Sequence, residues 1–135
     1  MSVKTIENMV NWVEENLNKC PTLEEMSDYV GYSPCYCSTK FHEYIGVSFK
    51  DYIRKRQLSM AAISLQKTKY RIIDIAIQYG FSSHEAFTRA FVRAYGFTPF
   101  QYRKLSLEIL VFDKAQIIFK HSSIRIRSVK NVKKN

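Results

Sequence analysis

The chain has 135 residues and a 46% hydrophobic share, which is the make-up of a packed globular protein and excludes a largely disordered one. No apolar run approaches the roughly 20 residues of a membrane span, and the opening MSVKTIENMV lacks a signal peptide's apolar stretch, so a cytoplasmic location is expected. The formal charge of +9 favours a polyanionic partner but is uneven, with −3 over residues 1–50 (four Lys/Arg, seven Asp/Glu), +5 over 51–113 (ten, five) and +7 over 114–135 (seven, none).

Residues 3–18 place Ile6, Met9, Val10, Val13 and Leu17 on one helical face and read as a supporting helix. Thr22 is a good N-cap, and Glu25 three residues on completes a capping box for a helix with Leu23, Met26 and Val30 on one face. Gly31 ends it, because glycine accepts the left-handed conformation of a helix C-terminus. Ser33 and Pro34 then start another helix, with Pro34 at the first position, where a missing N–H costs nothing. On that helix Cys37 and Phe41 face inward, with Tyr44 at the margin, leaving Cys35, Ser38, Thr39 and His42 outside. A longer helix opens at Ser48 and runs through residues 48–66 with no Gly or Pro. At about 1.5 Å per residue it spans roughly 28 Å, close to the approximately 34 Å of one DNA turn.

The pattern then recurs. Gly31-Tyr32-Ser33, Phe41, Gly46-Val47-Ser48 and Tyr52 are matched in order by Gly80-Phe81-Ser82, Phe91, Gly96-Phe97-Thr98 and Tyr102. The offset grows from 49 to 50 just after the turn, so one residue has been added there. Ile72, Ile75, Ala76 and Tyr79 form the core face of the second copy's first helix, and Gly80 ends it. Ser82 and Glu85 read as a capping box for the next helix, on which Phe87 and Phe91 face the core. His84, Glu85, Thr88, Arg89 and Arg93 remain outside. Thr98, Pro99 and Gln101 open a final short helix.

Hydroxyls, imidazole and guanidinium on two second helices are groups that read base edges, and Arg89 is the best single candidate because a guanidinium bridges two acceptors of guanine. The competing readings of Arg89 are a plain surface residue or a phosphate contact. With Tyr36 and Ser83, the candidate DNA-binding set is Cys35, Tyr36, Ser38, Thr39, His42, Ser83, His84, Glu85, Thr88, Arg89 and Arg93. Arg54, Lys55 and Arg56 lie about 100° apart round a helix, so they cannot all face one ligand. Cys35 and Cys37 point to opposite sides of a helix, and His42, His84 and His121 are not at zinc spacing with the cysteines. Cys20, Cys35 and Cys37, odd in number, are expected as thiols. The sequence carries no Gly-rich phosphate loop and no nucleophile–base constellation, and neither an enzyme nor a cofactor or metal is expected.

The segment IIDIAIQYGFSSHEAFTRAFVRAYGFTPFQYR, from Ile72 to Arg103, resembles the signature of the AraC/XylS transcription regulators: Ile-Ala, Gly-Phe, Phe-x-Arg-x-Phe, Gly-x-Thr-Pro, Tyr-Arg. The resemblance extends back to cover about residues 5–104. It implies a seven-helix, all-α fold of two homeodomain-like helix-turn-helix subdomains joined by a long linker helix. It also implies promoter binding, usually with activation through RNA polymerase. By position it assigns base contacts to Cys35, Ser38 and Thr39 in the first unit and to His84, Glu85, Ala86 and Arg89 in the second. Ser27, Cys37 and Thr39 stand where the family has a small apolar residue, a leucine and a frequent arginine, so the first unit is expected to position more than to specify.

The expected division is a first helix-turn-helix subdomain at 1–47, the linker helix at 48–66, the second subdomain at 67–105 and a short basic C-terminal appendage at 106–135. Ile109–Phe112, Ile117–Phe119 and the alternation Ile124-Arg125-Ile126-Arg127 read as two or three extended segments, and three readings of the appendage stand open: the opening of a truncated effector domain, a strand pair docked on the helical body, or a disordered basic arm. The leading function is a sequence-specific DNA-binding regulator, an activator acting as a monomer on double-stranded promoter DNA. The alternatives are a protein-interaction adaptor on the same helical fold, and a thiol or metal sensor using Cys35 and Cys37.

Overall fold

The computed structural model describes residues 2–105 and, beyond them, the backbone of 109–112, 116–120, 123–127 and 130–133. His121 lies outside the described residues. Seven α-helices make up the body: α1 (Val3–Glu15), α2 (Leu23–Val30), α3 (Pro34–Ile45), α4 (Phe49–Lys67), α5 (Ile72–Gln78), α6 (His84–Tyr95) and α7 (Pro99–Lys104). Four short strands follow: β1 (Ile109–Phe112), β2 (Gln116–Lys120), β3 (Ser123–Arg127) and β4 (Lys130–Lys133). β1 pairs antiparallel with β4 and β2 with β3. Among the described residues beyond α7 the backbone forms four strands, one more than the apolar runs foretell. Lys130–Lys133 is too polar to stand out by sequence and is a strand because β1 pairs with it.

Local chemistry accounts for most helix ends. Thr22 and Glu25 form a reciprocal capping box on α2, as Thr98 and Gln101 do on α7. Ser33 and Ser48 accept the N–H groups of Tyr36 and Asp51 at the starts of α3 and α4. Each of these caps satisfies a backbone donor that a helix leaves orphaned, worth about 1 kcal/mol. Two readings shift. The helix expected over 3–18 stops at Glu15, where the Asn16 amide donates to the Trp12 carbonyl at 2.7 Å and the chain continues as a 3-10 turn, Leu17–Lys19. On α6 the cap is Ser83 and not Ser82: the residue added after Gly80 moves the helix start on by one. Glu85 then sits second in the helix, one place short of a capping box, where it still favours the positive end of the helix dipole.

Two hydrophobic clusters hold the body, and α4 contributes to both. Ile6, Met9, Val13, Met26, Cys37 and Phe41 pack with Phe49, Tyr52 and Ile53 from the first half of α4. Ile75, Ala76, Phe87, Phe91 and Tyr102 pack with Leu58, Ala61, Ala62 and Leu65 from its second half. Met60 touches both clusters. α4 also joins the two halves at a seam with Leu17, Cys20, Gly80 and Phe81. The Gln57 amide donates to the Leu17 carbonyl at 3.0 Å, and Arg54 lies 4.1 Å from the centre of the Phe81 ring. Gly80, at φ +82°, leaves so little room that an added Cβ would stand 2.7 Å from the Cys20 sulfur. Among the described residues no helix is long and apolar enough to cross a membrane.

Candidate nucleic-acid interface

The two candidate reading helices are α3 and α6, each starting after a left-handed glycine and a serine cap. On α3, Cys37, Phe41 and Ile45 are buried, which fixes the opposite side outward. Cys35, Tyr36, Thr39 and His42 are exposed and Ser38 is half-buried. Tyr32 and Tyr36 stack with ring centres 5.4 Å apart, and the Lys40 ammonium lies 5.7 Å from the Tyr36 ring. Tyr32 and Lys40 were not among the candidates, although the i, i+4, i+8 spacing of Tyr32, Tyr36 and Lys40 is visible in the chain. Lys40 is also bound to Glu43 at 3.2 Å, which raises its pKa through that hydrogen bond and charge. The one cation of α3 is therefore already partnered.

On α6 the core side is a ladder of rings. Phe81, Phe87 and Phe91 follow at 5.0 and 5.6 Å, and Tyr102 meets Phe91 edge-on at 5.2 Å. Such a rigid back leaves His84, Glu85, Arg89 and Arg93 exposed, the last three spaced by four residues along one stripe. Among the described residues no ion pair holds Arg89 or Arg93. Ser83 is half-buried, its hydroxyl occupied in accepting the Ala86 N–H at 3.0 Å. Thr88 turns its hydroxyl inward, where the oxygen is buried without a hydrogen-bond partner among the described residues. Ala86 is half-buried.

The basic run of α4 divides three ways. Arg54 stacks on Phe81, and its desolvation lowers its pKa against the opposing pull of Cys20. Lys55 is exposed. Arg56 is buried and forms a two-point ion pair with Glu14, at 3.0 and 2.7 Å. Cys35 and Cys37 diverge as their spacing requires, the first exposed and the second in the core, where burial pushes its thiol up and disfavours a reactive thiolate. Among the described residues no group of three or more His, Cys, Asp or Glu is placed to hold a metal ion.

A sequence profile described as "Helix-turn-helix domain" matches residues 26–105. The transposon Tn10 TetD protein of Escherichia coli is 36% identical over 102 residues, covering 76% of this chain and 74% of TetD. The F1 operon positive regulatory protein of Yersinia pestis is 36% identical over 102 residues, covering 75% of this chain but 34% of that protein, so the chain spans about a third of that relative's length. Among solved structures, a transcriptional regulator of the AraC-type DNA-binding-domain proteins from Chromobacterium violaceum aligns with a TM-score of 0.69 at 26% identity, over 74% of this chain and 89% of that one. Two capped helix-turn-helix units, an α4 shared between their cores and these matches together identify the chain as a member of the AraC-type helix-turn-helix family of DNA-binding transcription regulators.

Proposed function

We propose that this chain is a sequence-specific activator that binds promoter DNA as a monomer in the cytoplasm, seating α3 and α6 in adjacent major grooves. The observation that carries this reading is the shared helix: α4, of 19 residues, contributes to both cores and is about 28 Å long. A rod of that length matches the separation of two major grooves on one face of a duplex. In functional terms the chain divides into a first unit at 1–47, a linker at 48–66, a second unit at 67–105 and a basic appendage at 106–135. Arg89 is the principal base reader, with His84, Glu85 and Arg93 beside it. On the first unit, Cys35, Tyr36, Ser38, Thr39 and His42 orient the protein. Ser83 and Thr88 act through the helix start and the packing behind it. The activating role is supported by the name of the F1 operon positive regulatory protein among the relatives, and the partner proposed for it is RNA polymerase.

Selection of bound duplexes from a random pool tests the reading. Two short conserved blocks centred about 10–10.5 base pairs apart are expected. A single block, or two at an unrelated spacing, rejects simultaneous insertion. A second reading, an adaptor that binds another protein, is favoured by the exposed Tyr29, Tyr32 and Tyr36 on the first unit. Gel-shift titration separates the two, since an adaptor shows no duplex binding even at low salt.

A further inference from the structure

The outer side of α3 is short of the groups that make paired hydrogen bonds to base edges. Arginine and lysine bridge guanine, and asparagine and glutamine bridge adenine. α3 contains no Arg, Asn or Gln, and its one Lys, Lys40, is bound to Glu43. What the start of this helix offers instead is aromatic surface. Tyr32, in the turn, and Tyr36, the third residue of α3, are 42% and 37% exposed. Their rings stack at 5.4 Å with 28° between the planes.

The core beneath is filled by Cys37, Phe41 and Ile45, so neither ring is needed there. The equivalent places of the second unit hold no exposed pair. They are Phe81, buried with the Arg54 guanidinium over its ring, and Ala86, half-buried. The stacked tyrosines therefore belong to the outer face of the first unit alone.

A helix-turn-helix unit meets base edges with the N-terminal part of its second helix, and Tyr36 lies in the first turn of α3. Stacking on Tyr32 restricts how that ring turns, and a tyrosine has only two side-chain torsions to fix, so a contact made by the ring costs little ordering entropy. Cys35 and Thr39, exposed beside it, add a thiol and a methyl group. The major-groove group that suits such a surface is the 5-methyl of thymine, the one apolar group among the donors and acceptors displayed there.

We infer that Tyr36 reads thymine in the half-site under α3 by contact with the 5-methyl group, with Tyr32 as the positioning residue that holds its ring. This deepens the reading that α3 enters a major groove and rests on it. Burying one methyl group is worth about a fourfold gain in affinity, less than a good bidentate hydrogen-bonded pair provides. The first unit thus favours thymine-bearing sites, while the sharper discrimination stays with α6.

The test uses the full chain and the duplex that selection from a random pool returns. Thymines of one block, then of the other, are replaced by deoxyuridine, which differs only in lacking the methyl group. The parent should lose affinity about fourfold for each methyl contact removed at one block. Tyr36→Ala should abolish that sensitivity at the same block and leave the response at the other block as in the parent. Tyr36→Phe, which keeps the ring, should retain it, and Tyr32→Ala should reduce it. Unchanged affinity of the parent on both substituted duplexes overturns the inference, and this arm requires no variant to fold. A selected site with no A·T pair in either block overturns it too. So does methyl sensitivity that survives Tyr36→Ala at both blocks, or that vanishes in Tyr36→Phe and so belongs to the hydroxyl. Full sensitivity in Tyr32→Ala overturns the positioning role. Absence of any duplex binding by the parent at low salt defeats the DNA reading itself, a different result from binding that ignores the methyl groups.

Discussion

Replacing Gly80 by alanine asks whether the two units meet through a specific contact or only through α4. Gly80 has φ +82°, and an L-residue held there costs about 1–2 kcal/mol. The new Cβ would stand 2.7 Å from the Cys20 sulfur and 3.3 Å from the Gln57 amide nitrogen. Neither neighbour retreats freely: Cys20 sits on a left-handed backbone at φ +51°, and the Gln57 amide is bound to the Leu17 carbonyl at 3.0 Å. Overpacking of this kind adds about 1–3 kcal/mol, for a total of about 2–5 kcal/mol. Removing the sulfur with Cys20→Ala leaves only its Cβ, 3.9 Å from the new methyl group, which is ordinary contact. Gly80→Ala should then cost its backbone strain and what the 3.3 Å approach to the Gln57 amide adds, without the clash against sulfur. Urea unfolding of the parent, both single variants and the double variant measures the coupling, expected at about 1–3 kcal/mol in favour of the double variant. Additivity within about 0.5 kcal/mol refutes the reasoning, because independent sites add to that accuracy.

Three further outcomes follow from contacts already described. Burial first, then the neighbouring Tyr95, pushes the Tyr102 phenol up to about 12 from 10.0. The unfolded chain therefore loses this proton first, and stability should fall as pH rises from about 10 to 12, by on the order of 2 kcal/mol. Because the Tyr102 hydroxyl has no hydrogen-bond partner among the described residues, Tyr102→Phe should leave stability at pH 7 within about 1 kcal/mol of the parent and flatten that alkaline decline, both read by denaturant titration. Glu14→Ala strips the carboxylate from buried Arg56 and should lower stability by about 3 kcal/mol, with Glu14→Gln falling between, as thermal melting would show. Arg89→Ala should cost about 1–3 kcal/mol of discrimination between selected and random duplexes, and equal losses on both would assign Arg89 to phosphate.

What the sequence discloses here is what local chemistry controls. Thr22 with Glu25, Ser33 with Pro34, and Thr98 with Gln101 each announce a helix start, because the capping partners lie within three residues. Ile6, Met9, Val10 and Val13, or Phe87 and Phe91, announce a buried face because a helix has a fixed period. The added residue after Gly80 is visible as a change of offset, yet it misleads at Ser82, since two adjacent serines compete for the cap and only backbone geometry chooses Ser83. Contacts between distant segments leave no such trace. Arg56 meets Glu14 across 42 positions, and Cys20 abuts Gly80 through a turn whose left-handed cysteine has no sequence signature. The inward hydroxyl of Thr88 is of the same kind: periodicity places Thr88 outside, and packing turns its hydroxyl in.

The repeat also explains why two units with the same order of helices need not share a task. Cys37 and Phe87 occupy the same place in the two units, as do Phe41 and Phe91, so the core registers both helices identically. Outer positions are free of that constraint, and there Thr39 stands where the second unit has Arg89. Thr39→Arg should therefore give α3 a cation at the equivalent place, raising duplex affinity and steepening the salt slope by about 1. Glu43, exposed and one turn on from Thr39, competes for the new guanidinium through an i, i+4 pair worth about 0.2–0.5 kcal/mol. Adding Glu43→Gln should release it and enlarge the gain. If neither variant strengthens binding while Arg89→Ala weakens it, α3 does not approach the duplex as α6 does, and the equivalence of the two units ends at their cores.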